Sequence, residues 1–393
     1  MTRARALPLA LALLCGSARA QTLTKLPMLE SFRTSEVRVQ WETDSDPPGT
    51  DSRLEWGPAS PAQFSVAAQP AIQLAPDRFV HRAIATGLSP QTAYLYRVRS
   101  GPALSATYPL RTAPPAGVPF RVAWVADNQN QLGVPFLTVL QKLAARAPDF
   151  IGHAGDTVQD GDQLAEWQAQ WFDPFAAAGN LGQTTPVLVS RGNHDWEYPT
   201  SLAYHWLPDN GGSIGNGDWY AETIGRVRFI FLDSNLPWVE QEDWLRAELA
   251  SPASRDADFR IAVFHIPAYT NLWDSVGFRG DTYFREHWVP LFEQGRVDLV
   301  VNGHAHCYER GSSNGVMYTI VGGAGGILDT VPQSPPWPFI AVAQSVHHYA
   351  IMDVNGGKLR WTAYDLQDQL IDSFELAKGA GVPVFPALEG RER

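Results

Sequence analysis

Apolar and polar residues alternate with period two along Glu36-Val37-Arg38-Val39-Gln40-Trp41, and again along Thr92-Ala93-Tyr94-Leu95-Tyr96-Arg97-Val98. That period belongs to strands with one buried face, and Asp46-Pro47-Pro48-Gly49 and Leu88-Ser89-Pro90 supply turns between such runs. Residues from about 23 to 112 therefore predict an all-β sandwich, with Trp41 in its core and Tyr94 as a corner tyrosine. Arg111-Thr112-Ala113-Pro114-Pro115-Ala116-Gly117 reads as an extended linker, because consecutive prolines stiffen the chain.

From Phe120 onward the pattern becomes apolar strand, turn and amphipathic helix, repeated. Strands are predicted over 120–125, 150–154, 187–189, 228–232, 260–264, 297–301 and 317–321, and helices over 135–146, 239–249 and 283–292. Such alternation builds an α/β sheet, in which ligands gather beyond the carboxyl ends of the strands. Five segments stand at those ends: Ala126-Asp127-Asn128-Gln129, Gly155-Asp156, Gly192-Asn193-His194-Asp195, Phe264-His265 and Gly303-His304-Ala305-His306.

Taken singly each has a plain structural reading, since Gly-Asp is a common turn and a lone histidine after a strand is usually a hydrogen-bonded core residue. Their common placement favours a metal centre. Carboxylate and amide oxygens with imidazole nitrogens suit two borderline cations, and a two-metal site clamps the attacking and leaving oxygens of phosphoester hydrolysis.

Composition narrows the setting. At 393 residues, 45% hydrophobic and with 14 Trp, the chain has material for two cores rather than disorder. Arg3 and Arg5, the apolar run Ala6 to Leu14, and Ala18-Arg19-Ala20 form a secretory leader, so Gln21 is expected to begin an exported (periplasmic or secreted) protein. Leu13 and Leu14 before Cys15 disfavour a lipid anchor, and no run approaches the roughly 20 apolar residues of a transmembrane helix. Cys307 is then left without a disulfide partner. With 41 acidic against 30 basic residues and a formal net charge of −11, no nucleic-acid-binding patch is expected, and metals would have to attract a phosphate substrate.

In their order the five segments resemble the calcineurin-like metallophosphoesterase superfamily. The preceding β-module and Gly303-His304-Ala305-His306-Cys307-Tyr308-Glu309-Arg310 resemble purple acid phosphatases. The resemblance implies an N-terminal all-β, fibronectin III-like sandwich followed by an α/β four-layer (αββα) metallophosphoesterase domain. The expected boundaries are 1–20 for the signal peptide, 21–113 for the sandwich, 118–377 for the catalytic domain and 378–393 for a loose Gly- and Pro-rich tail.

It further implies two metal ions per chain (Fe, Zn or Mn). Asp127 would bind the first, Asp156 would bridge both, and His306 would complete the first site; Asn193, His265 and His304 would hold the second. His194 would contact the phosphoryl group and assist the leaving oxygen while metal-bound hydroxide attacks a small phosphate ester, monoester or diester. Three departures qualify this pattern. Gln159 stands where purple enzymes carry an iron-binding tyrosine. Gln129 replaces a histidine, and either donates an amide oxygen or leaves the position to water. Trp273 and Asp274 occupy a region where relatives have extra histidines. The alternative is an extracellular binding module with a degenerate metallophosphoesterase domain.

Remaining residues are expected to play supporting parts. His153 reads as structural, and His347 and His348 as surface or loop residues. Trp196 and Trp273 are candidate cleft walls, and Cys307 a buried small side chain. Glu309 and Arg310 should orient ligands or pair with each other.

Overall fold

Leu29, Val39, Trp41, Leu54, Tyr96 and Val98 fill a core between two antiparallel sheets in a computed structural model describing residues 21–129, 135–196, 198–212, 218–236 and 239–378. The expected leader with Cys15, and the tail beyond Lys378, lie outside the described residues. One sheet runs Leu23–Leu29, Glu36–Thr43, Arg78–Thr86, Ile72–Ala75; the other runs Phe64–Ala67, Ser52–Gly57, Ala93–Ser100, Ala103–Leu104, with Tyr108–Arg111 also paired to Ala93–Ser100. The Trp41 indole N–H donates to Ser100 Oγ at 2.9 Å. The Tyr94 hydroxyl accepts from the Ser89 backbone N–H at 2.9 Å, which is the corner expected of it.

The polar side of Glu36–Thr43 is buried as well. Arg38 donates to the Leu207 carbonyl at 3.1 Å, Gln40 to the Tyr204 carbonyl, and the Tyr204 hydroxyl to Glu42. Lys25 reaches Glu42 at 2.7 Å, and Arg82 donates to the carbonyls of Leu202 and Ala203 at 2.8 and 2.9 Å. The alternating face that a lone sandwich would turn to water is thus the surface on which the α/β unit docks.

That unit has two sheets. The first runs Val187–Val189, Phe150–His153, Phe120–Val125, His348–Asn355, Lys358–Asp365, Leu370–Ala377. The second runs Tyr220–Ile224, Val227–Phe231, Phe259–Val263, Leu299–Asn302, Val316–Val321, Tyr308–Ser313, Ile340–Gln344. Val122, Trp124 and Phe150 of the first meet Phe229, Ile261 and Leu299 of the second in one core, with the Phe150 and Phe229 rings 5.4 Å apart. Alternate residues of the second sheet, Ile230, Ala262, Phe264 and Val300, pack outward with Leu245, Phe284, Trp288 and Phe292 from helices Val239–Leu249 and Thr282–Gln294. Helix Pro135–Arg146 buries Phe136, Val139, Leu140 and Leu143 on the outer side of the first sheet. Strands apolar on both faces are what a doubly covered parallel sheet needs. The layers are helix, sheet, sheet, helix.

His348 is a correction. It begins strand His348–Asn355 fully buried, with Nδ1 at 2.8 Å from the Val346 carbonyl and its ring 5.3 Å from Tyr308. Tyr308, from a strand of the facing sheet, packs on its ring, which a surface or loop reading missed.

Candidate metal centre

Phe120–Val125, Phe150–His153 and Val187–Val189 are parallel neighbours in one sheet, and Phe259–Val263 and Leu299–Asn302 in the other. All five expected segments follow these strands at their carboxyl ends, so ligand-bearing turns from both sheets converge at one edge. Asp127, Asp156 and His304 adopt positive φ of 59°, 58° and 70°. Left-handed backbone at non-glycine residues is costly and persists where the surroundings enforce it. Here the turns are tied together: His304 N–H donates to both Asp127 oxygens at 3.0 and 2.8 Å, and His194 N–H to Asp156 Oδ1 at 2.9 Å. Gly192 and Gly303 allow this approach, since a Cβ on either would strike the Asp156 or Asp127 carboxylate.

The side-chain donors fall into two groups sharing Asp156. Ligand atoms of Asp156, His265 and His304 lie within 4.8 Å of one another, and Asn193 Oδ1 is 3.1 Å from His265 Nε2. On the other side, His306 Nε2 is 3.5 Å from Asp127 Oδ1. Gln129 Nε2 is 3.0 Å from Asp156 Oδ2 and 3.3 Å from His306 Nε2. His265 Nδ1 is 2.8 Å from the Ala154 carbonyl and His306 Nδ1 is 2.6 Å from that of Ile327, which leaves each Nε2 facing the carboxylates.

Electrostatics follow from this crowding. Burial disfavours charge on His265, yet Asp156 and Asp127 push its pKa up to about 10. His306, buried but beside Asp127, is raised to about 9. Burial raises Asp127 despite both imidazoles. Burial also opposes ionisation of Asp156, but His265, and after it His194, hold its carboxyl well below the usual range. Burial and the charge of His265 take His304 down to about 3. Carboxyl and imidazole groups thus compete for protons at one centre, where cations can take the protons' place.

His194 lines the same cleft as Gln129, Asp156, Asn193, His304 and His306. Its Nδ1 is 2.7 Å from the Gln159 carbonyl, so Gln159 orients this ring. Asp195 accepts from Thr157 N–H, Thr157 Oγ and Gly192 N–H at 2.8, 2.6 and 2.7 Å, fastening the second motif to the third. His153 is structural as expected: Nε2 lies 2.7 Å from Asn128 Oδ1, and burial lowers its pKa to about 3.

Trp273 walls the cleft, its ring 4.8 Å from that of His304. Trp196 does not line it and packs against the outer core of the second sheet. Glu309 and Arg310 do not pair with each other. Glu309 accepts from the backbone of Asn271 and Leu272 at 2.9 and 2.8 Å, while Arg310 pairs with Asp372 at 2.9 Å, because successive strand residues face opposite ways. Cys307 is a buried free thiol. Sequence reasoning missed Asp329, whose Oδ2 accepts from His306 N–H at 2.7 Å; it lies in irregular chain with no periodicity or motif to mark it.

Residues 120–308 match the calcineurin-like phosphoesterase family, and residues 28–112 match the purple acid phosphatase N-terminal domain. Residues 120–308 form a domain of the calcineurin-like phosphoesterase family. An uncharacterised Mycobacterium tuberculosis protein is 31% identical over 273 residues, covering 59% of this chain and 50% of the relative. Purple acid phosphatase 15 of Arabidopsis thaliana is 26% identical, covering 63% and 53%. A probable inactive purple acid phosphatase 27 from the same plant is 25% identical, covering 59% and 42%. The chain spans about half the length of the curated relatives it matches. Among solved structures, a purple acid phosphatase from yellow lupin (Lupinus luteus) seeds superposes with TM-score 0.76 at 20% identity, covering 90% of this chain and 74% of that one. At that identity the likeness speaks to the fold.

Proposed function

We propose that the chain is an exported, metal-dependent phosphoric ester hydrolase. The observation that carries this reading is the convergence of Asp127, Asp156, Asn193, His265, His304 and His306 around one cleft also lined by His194. Asp127 and His306 would hold one cation and Asn193, His265 and His304 the other, with Asp156 between. Gln129 fits this assignment as an oxygen donor: its Oε1 is buried without a hydrogen-bond partner, and a half-turn of the amide exchanges it with the Nε2 that now sits between Asp156 and His306. Bound there, two cations supply Lewis acidity and an activated water.

The chain's own residues do the rest. Asn193 contributes an oxygen without adding negative charge beside an anionic substrate. Gln159 fixes the His194 ring by its Nδ1, so Nε2 is the atom offered to the phosphoryl group. As a P–O bond forms to water and the ester P–O bond breaks, His194 donates a proton to the departing oxygen, and the proton given up by the attacking water passes to solvent, which reprotonates His194.

The binding-module reading draws on Gln129 replacing a histidine and on relatives named as inactive. One experiment separates the two. The purified chain, supplied with iron, zinc or manganese, is assayed on an aryl phosphate and a bis-aryl phosphate alongside elemental analysis. About two ions per chain with turnover is expected; one or none, with no turnover, would establish the module instead.

A further inference from the structure

Beside the donor atoms the cleft is lined by Trp273, Asp274, Ile327, Leu328 and Asp329 and has a volume of about 380 Å³, enough for a small ester. Two independent features of this lining bear on which ester fits.

The first is charge. Among the described residues no Lys or Arg lines the cleft, whereas Asp274 and Asp329 add carboxylates to that of Asp156. The internal segments outside the description, 130–134, 197, 213–217 and 237–238, contain neither Lys nor Arg in sequence. A phosphate monoester is mostly a dianion near neutrality, because its second pKa is about 6; a diester remains a monoanion. Asp274 and Asp329, which hold neither cation in the assignment above and have no Lys or Arg beside them in the lining, penalise the second charge more than the first.

The second is the apolar wall. Ile327 is 54% exposed and lines the cleft with Trp273 and Leu328. Trp273 is held in place from several sides. Leu272 and Trp273 pair with Pro332 and Val331, Glu309 fixes the backbone at Asn271 and Leu272, and the Trp273 ring packs 4.6 Å from Phe278. A monoester has one organic group to lay on such a wall, and a diester has two.

We infer that the cleft selects singly charged phosphodiesters bearing apolar or aromatic ester groups over doubly charged monoesters, an inference that rests on the phosphoesterase reading above. Asp274 and the Trp273–Ile327 wall are its specificity-determining elements.

The test uses the metal-loaded full chain at low ionic strength, comparing kcat/KM for bis(p-nitrophenyl) phosphate and p-nitrophenyl phosphate. The diester is expected to lead by roughly tenfold, and Asp274→Lys to narrow that lead by roughly threefold, chiefly by raising the monoester value. Added salt should narrow it too, as exposed charges are screened. A monoester equal to or faster than the diester in the unmutated chain overturns the inference. A second readout needs no turnover: at equal concentration, diphenyl phosphate should raise the melting temperature of the metal-loaded chain more than phenyl phosphate does. The reverse order overturns the selection. If neither ester is cleaved while diphenyl phosphate binds better, the phosphoesterase reading falls and the selectivity stands; cleavage with monoester preference removes the selectivity alone.

Discussion

Where the sandwich meets the α/β unit, buried polar groups are set against complementary ones: Lys25 on Glu42 at 2.7 Å, Arg38 on the Leu207 carbonyl, Gln40 on Glu30 at 2.9 Å. In the candidate metal centre Asp127 and Asp156 instead crowd three imidazoles and an amide, and three residues have left-handed backbone. None of Lys25, Glu30, Arg38, Gln40 or Glu42 has positive φ. Both regions are buried and polar, so burial alone does not separate structure from function. What separates them is that the candidate metal centre gathers several carboxylates and imidazoles on left-handed backbone, whereas the interface pairs single groups on ordinary backbone.

Substitutions in the two regions should therefore fail in different ways. The largest effect is expected from Asp156→Asn, because a neutral amide cannot offset two cations. Metal content should fall and turnover drop by roughly 10³-fold or more, as several kcal/mol of charge stabilisation disappears; loss of turnover with both metals retained would remove the bridging role. His194→Ala should keep its metals and lose roughly 10²- to 10⁴-fold in kcat, the range for a proton-transfer group. Metal loss in that variant would make His194 a ligand.

At the interface the damage should be to stability. Lys25→Met leaves the Glu42 carboxylate buried with the Tyr204 hydroxyl and Arg78, 3.5 Å away, and removing one partner of a buried pair costs about 3 kcal/mol. Chemical denaturation should show that loss while turnover per folded molecule is unchanged. A fall in turnover with metals retained would mean that the two regions are coupled.

Glu30 gives a subtler probe of the same surface. Burial, opposed by Arg82 and the Gln40 hydrogen bond, pushes its pKa up to about 8. The folded chain thus holds this proton more tightly than the unfolded one, whose carboxyl titrates near its ordinary value. The contribution is full below about pH 4.5 and declines as pH rises through about 8. Melting temperature against pH should show this slope in the unmutated chain and a flatter one in Glu30→Gln; identical slopes would assign the pH dependence to other groups.

The sequence displayed the site better than its surroundings, for a physical reason. Strand-end Asp, Asn and His residues stand out because apolar strands precede them, and Phe120–Val125 and Val187–Val189 have the predicted limits. Strand Glu36–Thr43 was equally visible by period, yet its polar side faces another unit rather than water, which alternation does not encode. Glu309 and Arg310 failed as a pair because sequence adjacency is not spatial adjacency on a strand. Asp329 depends on a long-range backbone contact to His306, so no local pattern announces it. The domain limits of 21–113 and 118–377 remain part of the proposal.

The smallest expected effect is spectroscopic, and it bears on the first cation's surroundings. The resemblance to purple acid phosphatases associates visible colour with a tyrosine phenolate on ferric iron, three residues after the bridging aspartate. Gln159 holds that place, with its carbonyl 2.7 Å and its Nε2 3.2 Å from His194 Nδ1. Two tyrosines that follow ligand motifs in sequence are engaged elsewhere: the Tyr308 hydroxyl donates to Asp372 at 2.8 Å, and Tyr269 packs among Tyr318, Trp337 and Phe339. Among the described residues no tyrosine lines the cleft. Iron-loaded, active protein should therefore lack the tyrosinate charge-transfer band. Its presence in the unmutated chain would place a phenolate on the metal and overturn the assignment of Asp127, Asp156 and His306 as the first cation's protein donors, with Gln129 beside them.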